Sequence, residues 1–195
     1  MVCNADDEYQ ANDHLRIRAA FENFKHQCSG QPSTEETAVI DVGGGTGRLY
    51  EDFKALYDRV IISDGAQEHM NVYKQKVEDA GDSWRCTFLE AVAFSQLFTE
   101  EFLKEHASLV KKADKLLSWV LGYLQKNEDA AAFLKKLDDF SSKGNKIFLR
   151  ENLMVNRNEM RKGGKGYWLR REAEYQQLIE ENLPGWTRIN RDVWP

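Results

Sequence analysis

Cysteine is scarce in this chain. Its three residues, Cys3, Cys28 and Cys86, are odd in number and lack metal-ligand spacing. That argues against a disulfide framework or a zinc site and fits reduced thiols in a cytoplasmic or nuclear protein. Long apolar runs are also lacking. None approaches 18 residues, and Asp6, Asp7 and Glu8 stand where a leader would carry a basic region and an apolar core. The expectation is a soluble, non-secreted protein without a membrane partner. There is no excess of positive charge, since 27 basic and 32 acidic residues give −5. A general nucleic-acid binder is therefore disfavoured, although a local basic patch is still compatible. Internal repeats and low-complexity segments are absent, and 195 residues suit one domain with a substantial core.

Two more absences define the most informative stretch, Ala38-Val-Ile-Asp-Val-Gly-Gly-Gly-Thr-Gly-Arg-Leu49. An apolar run of strand length ends near Asp41, and four glycines in five positions lead into a helical pattern of Leu49, Phe53 and Leu56. Strand, tight turn and helix in that order form a nucleotide cradle. The turn glycines admit a ligand against the main chain, and free N–H groups at the helix start favour an anionic group. A dinucleotide fingerprint G-x-G-x-x-G would need glycine at position 48, where Arg48 stands. A phosphate loop would need Lys-Ser or Lys-Thr after the glycines, and neither follows. What remains is Asp41 with Gly43, Gly45 and Gly47 in a D-x-G-x-G-x-G pattern. Asp64 ends a second apolar run, Arg59 to Asp64, where a parallel strand would offer an acceptor for ribose hydroxyls.

The rest of the chain alternates strands and helices. Asn12 or Asp13 can cap a helix with the stripe Ile17, Phe21, Phe24 and Cys28. Strands are expected at about 38 to 42, 59 to 63, 84 to 89, 115 to 120 and 146 to 150. Helices are expected to about Tyr57, over Met70, Tyr73 and Val77, from Thr99 to Lys111, and over Phe133, Leu134, Leu137 and Phe140. Met70 and Tyr73 read as core. Asn156 to Arg171 holds Arg157, Arg161, Lys162, Lys165, Arg170 and Arg171 against Glu159, which reads as a flexible basic loop. A helix with Trp168, Tyr175, Leu178 and Ile179 follows, stopped by Pro184-Gly185, and Trp186 to Val193 can be a last strand. The fold class is α/β, a doubly wound parallel sheet whose ligands sit beyond the strands' carboxyl ends.

The pattern at Asp41 to Gly47 resembles motif I of the S-adenosylmethionine-dependent methyltransferases. Ser118-Trp-Val-Leu-Gly-Tyr-Leu124 and Phe148-Leu-Arg-Glu-Asn-Leu-Met154 narrow the likeness, since they resemble segments of the protein α-N-terminal methyltransferases. The resemblance covers roughly residues 14 to 193. It implies a Rossmann-like class I methyltransferase sheet in one domain over 1 to 195, with an N-terminal helical cap over 1 to 30 and the core over 31 to 195. It implies S-adenosyl-L-methionine as cofactor and methyl transfer to the α-amine of a protein N-terminus, an N-methyltransferase acting as a monomer. Asp41, Gly43, Gly45, Gly47, Arg48, Asp64, Ser118 and Trp119 would hold the cofactor. Asn152 would accept from the amine, and Glu151 would offset positive charge.

Three departures set this chain apart. Tyr123 stands where the family has histidine, and a phenol with a reference pKa near 10 is a poor base at neutral pH. An α-amine with pKa about 7.7 to 8 needs little help to lose its proton, so rate is affected more than reaction type. The family's aspartates after the fifth strand are replaced by the basic run, with Lys165 near one such position, which favours a more acidic acceptor. The aromatic lid looks shortened, and the chain ends at Trp194-Pro195 where a seventh strand would follow, so the sheet is expected to lack its last strand. A methyltransferase of small molecules, or a non-catalytic cofactor-binding partner protein, fits the same residues.

Overall fold

The computed structural model describes residues 15, 18–20, 22, 36–90, 96–151, 153, 162–163 and 167–188. Two compact units divide the chain, Thr37–Trp186 and Met1–Glu36 with Thr187–Pro195. In the second unit the described positions 15, 18–20 and 22 are helical, and Arg18 Nε pairs with Glu22 Oε1 at 3.1 Å. The expected stripe Ile17, Phe21, Phe24 and Cys28 lies outside the described residues.

Thr37–Trp186 is built on a five-stranded parallel sheet of β1 (Ala38–Val42), β2 (Arg59–Asp64), β3 (Cys86–Glu90), β4 (Asp114–Ser118) and β5 (Ile147–Arg150), ordered β3-β2-β1-β4-β5. All five residues of β1 are buried, as a central strand covered on both faces requires. Alternation sorts its side chains. Ala38, Ile40 and Val42 join Leu117, Phe98, Leu103, Val110, Phe133, Leu134 and Leu137 in one apolar cluster. Val39, Val60 and Ile62 are buried as well but stand outside that cluster.

The crossovers are α1 (Tyr50–Leu56), α2 (Gln67–Asp79), the pair α3 (Glu100–Leu103) and α4 (Ala107–Lys112), and α5 (Asn127–Asp139). Helix α2 buries Met70, Tyr73 and Val77, the stripe that its spacing predicts. Strand order reverses between β1 and β4, which places the switch-point crevice beyond Val42 and Ser118.

Several boundaries differ from the sequence-based expectation. The helix expected from Thr99 to Lys111 is interrupted. Thr99 Oγ1 accepts from the Phe102 amide at 3.3 Å and starts α3, but Lys104 adopts φ 45° and breaks the ladder before α4. The third strand starts at Cys86, because Trp84 belongs to a short 3-10 turn and is 68% exposed. The fourth strand ends at Ser118, since Trp119 turns the chain at φ 62° into a 3-10 turn over Leu121–Tyr123.

Within the stretch read as a flexible basic loop, β6 (Lys162–Gly163) pairs antiparallel with β7 (Tyr167–Trp168). Trp168 is therefore a hairpin residue, and the last helix, α6 (Glu172–Asn182), begins after Arg171 donates its N–H to Glu174 Oε2 at 2.8 Å. Trp186, Thr187 and Arg188 are not in a strand, and the remainder of that expected segment lies outside the described residues. Among the described residues no helix is long and apolar enough to cross a membrane.

Candidate functional site

The glycine turn after β1 is pinned to β2 along its length. Gly43 and Gly44 both donate N–H to Ser63 O, at 2.8 and 3.1 Å, and Gly45 donates to Asp64 Oδ2 at 2.8 Å. Gly43, Gly45 and Gly47 have φ of 71°, 57° and 73°, a region that costs a residue with a Cβ about 1 to 2 kcal/mol. Yet the glycines are needed for different reasons. A Cβ on Gly47 would sit 2.5 Å from the Tyr73 ring, so that glycine serves packing. A Cβ on Gly45 would meet nothing within 4 Å. The backbone there faces open space, as a close ligand approach requires.

Asp64 braces this turn from β2. Its Oδ1 accepts from the Ala66 amide at 2.8 Å, and His69 Nδ1 lies 3.4 Å from the same oxygen. A carboxylate has about four acceptor sites, so with Gly45, Ala66 and His69 beside it capacity for one further donor is left, on Oδ2. Asp41 is the opposite case, a carboxyl buried inside the sheet with Tyr73 donating its hydroxyl to Oδ2 at 3.4 Å. Burial pushes the Asp41 pKa up to about 7; the Tyr73 hydrogen bond opposes this, nearby Asp64 adds to it, and Arg48 works against it. Asp41 acts on the turn's packing, since a Cβ on Gly44 would fall 2.7 Å from its Oδ2.

At the ends of β4 and β5 the charge reverses. The Arg48 guanidinium lies 4.5 Å from the centroid of the Trp119 ring, and the Arg150 guanidinium lies 4.7 Å from the same centroid. Trp119 is held in its left-handed conformation by donating its N–H to Arg150 O at 2.8 Å. Trp119 Nε1 and Ser118 Oγ are buried without a hydrogen-bond partner. Such orphans are uncommon and call for an explanation.

Glu151 follows directly. Its Oε1 accepts from the Leu121 amide at 2.6 Å, and its Oε2 lies 3.3 Å from the Gly122 amide and 3.4 Å from the Tyr175 hydroxyl. Arg170 grips the other end of the same turn, donating to Leu121 O at 2.7 Å, Leu124 O at 2.5 Å and Asn127 Oδ1 at 2.9 Å while only 1% exposed. Between these grips Tyr123 projects, 57% exposed. Asn152 lies outside the described residues. Among the described residues no group of three or more His, Cys, Asp or Glu side chains could hold a metal.

The structure thus gathers Asp41, the three glycines, Arg48, Asp64, Ser118, Trp119 and Glu151 at one edge of the sheet. Tyr73, Arg150 and Arg170 belong with them and were not among the expected site residues. Arg150 had a signal, because it opens the Arg-Glu-Asn segment. Tyr73 was masked by its place in an apolar helical stripe, and Arg170 by its place in a basic run.

No family model matches the chain, and no curated protein matches it. Solved structures do. A SAM-dependent methyltransferase of the DUF858 family from Leishmania major superposes with TM-score 0.64 at 16% identity, over 87% of this chain and 62% of that one. A S-adenosylmethionine-dependent methyltransferase from Clostridium acetobutylicum gives 0.57 at 12% identity, over 92% and 81%. NcsB1, an O-methyltransferase from neocarzinostatin biosynthesis in complex with S-adenosyl-L-homocysteine and 1,4-dihydroxy-2-naphthoic acid, gives 0.56 at 18%, over 91% and 53%. The fold is a class I methyltransferase fold. At these identities the likeness is one of fold, and this chain spans less than two thirds of the Leishmania protein.

Proposed function

We propose that this chain is a S-adenosylmethionine-dependent methyltransferase that acts on the α-amine of protein N-termini. The observation that carries the cofactor reading is the open face at Gly45, whose amide is fixed by Asp64 and whose φ of 57° suits glycine. The residues fit the ligand in kind as well. Asp64 has acceptor capacity for a ribose hydroxyl, Arg48 would face the amino acid carboxylate, and the orphaned Ser118 hydroxyl and Trp119 N–H would gain partners. The acceptor reading rests on the likeness of the segments at 118 to 124 and 148 to 154. A monomer in the cytoplasm or nucleus is part of the same reading.

When bound, the cofactor supplies an electrophilic sulfonium methyl for in-line displacement. The chain's own contribution is alignment and exclusion of water. Asn152 would accept from the amine and aim its lone pair. Glu151 meets two turn amides and the Tyr175 hydroxyl, so it works by placing the Leu121–Tyr123 turn. Tyr123, exposed on that turn, would contact the acceptor without serving as the base. The second reading, a small anionic acceptor, draws on the two guanidiniums over Trp119.

Titration calorimetry with S-adenosylhomocysteine and with NAD tests the cofactor assignment. Micromolar binding of the first is expected, and binding of NAD alone would overturn it. Transfer of a labelled methyl to N-terminal peptides, compared with small carboxylic acids and phenols, tests the acceptor. Cofactor binding with no transfer to any of them would favour a non-catalytic partner protein.

A further inference from the structure

We propose that Asp41 is a charge-selecting residue for the cofactor: set beneath the glycine turn, its carboxylate favours the sulfonium compound over the neutral thioether left after transfer, which couples cofactor exchange to a proton. This rests on the cofactor reading and goes beyond it, by assigning a residue that tells the two ligands apart.

The two compounds share their adenosine and amino acid ends and differ by one methyl and one positive charge. A residue that separates them must therefore answer to charge near the turn. The neighbouring carboxylates are committed elsewhere. Asp64 holds the Gly45 and Ala66 amides with His69 beside it, Glu151 takes the Leu121 and Gly122 amides, and Glu90 at the end of β3 pairs with Lys74. Asp41 has one hydrogen-bond donor among the described residues, the Tyr73 hydroxyl at 3.4 Å, which is long for such a bond. It is 3% exposed, yet it lies close under the main chain of Gly44, next to the open face at Gly45. A carboxylate so placed is short of compensation as an anion, and a cation brought to the turn stabilises that form.

The groups around it set the sign. From β2, Asp64 repels the anion, and from the turn Arg48 attracts it. From α2, Tyr73 donates to it and Lys76 is spent on Gly47 O at 2.7 Å, while from α1 Tyr50 stands against the Tyr73 ring. Its register neighbours in the sheet, Ile62 and Leu116, are apolar. With burial the largest influence, the Asp41 pKa stands at about 7, where a change in ligand charge changes its ionisation. A cofactor carboxylate at Arg48 acts alike in both complexes and cancels from their ratio. The sulfonium does not cancel. It lowers the Asp41 pKa in one complex, so that complex forms with release of a proton and gains affinity as pH rises.

The test is calorimetry of the full chain with S-adenosylmethionine and with S-adenosylhomocysteine from about pH 6 to 8, in two buffers of different ionisation enthalpy. For a difference of one pKa unit between the complexes, selectivity for the sulfonium compound should rise about fivefold over that range, with protons released as it binds. The ligands' own amines titrate with every protein, so comparison with Asp41→Asn isolates the carboxyl, and that variant should lose the rise. Tyr73→Phe keeps the ring against Gly47 and removes the donor, and should move the rise to higher pH. A selectivity that changes equally in the unmodified chain and in Asp41→Asn, or a rise that Tyr73→Phe leaves in place, overturns the proposal. Should Asp41→Asn bind neither compound, the Tyr73→Phe profile decides alone. Binding of neither compound by the unmodified chain overturns the cofactor reading as well.

Discussion

Asp41→Asn should stabilise the ligand-free protein at pH 8 and leave it nearly unchanged at pH 4. The carboxyl is buried in the central strand, and burial pushes its pKa from 3.8 to about 7 in the fold. In the unfolded chain it ionises near 3.8, so between the two values the folded state holds the extra proton. Stability from this group is full below about pH 4 and is lost as pH rises through 7. At about 1.4 kcal/mol per pH unit, the loss comes to roughly 4 kcal/mol once both states are ionised. Asparagine keeps the size and an acceptor for the Tyr73 hydroxyl but has no proton to lose. Urea unfolding at pH 4, 6 and 8 measures the difference between the two proteins, which should grow with pH in favour of the variant. A variant destabilised equally at all three pH values would refute the argument. It would mean that the carboxylate is ionised in the fold and stabilised by hydrogen bonds.

The glycines of the turn should separate packing from ligand space. Gly47→Ala places a methyl against the Tyr73 ring and should cost about 2 to 4 kcal/mol in urea unfolding, whereas Gly45→Ala should cost only about 1 to 2 kcal/mol yet abolish binding of S-adenosylhomocysteine by calorimetry. Arg170→Ala strips two carbonyls and Asn127 of their donor. A loss of about 3 to 5 kcal/mol is expected, with faster amide exchange at Leu121 and Gly122. Lys115 is buried with Nζ on Lys111 O, Ala113 O and Asn145 Oδ1, and burial pulls its pKa down to about 7 against the pull of Asp114. Between there and its unfolded value the unfolded state binds the extra proton, so stability should rise from about pH 7 to 8.5, and Lys115→Met should flatten that rise.

The sheet was legible because its information is local. The buried run at 38 to 42, the glycines that follow and the Met70, Tyr73, Val77 stripe each specify an element by periodicity or by the demand for positive φ. Boundaries failed where a single residue takes a conformation that its type rarely adopts. Lys104 at φ 45° splits one helix, and Trp119 at φ 62° ends a strand two residues early. Neither has a sequence signature, because lysine and tryptophan are ordinary members of helices and strands. What holds Trp119 there is a bond to Arg150 O from a strand some thirty residues later.

Charge was the least legible property, since a sequence gives its sign without its surroundings. Arg170 and Glu151 show what that hides. The first stands in a run of cations with glycines between, which reads as solvated loop, and the second in a segment that reads as catalytic. In the fold they take opposite ends of one short turn, the carboxylate on its amides and the guanidinium on its carbonyls. A 3-10 turn of three residues cannot satisfy its own terminal groups, so charged side chains that reach it from β5 and from beyond β7 supply the missing partners. Arg170 is thus one cation of the basic run that the fold uses internally, and counting charges along the sequence overstates what that run offers to a ligand.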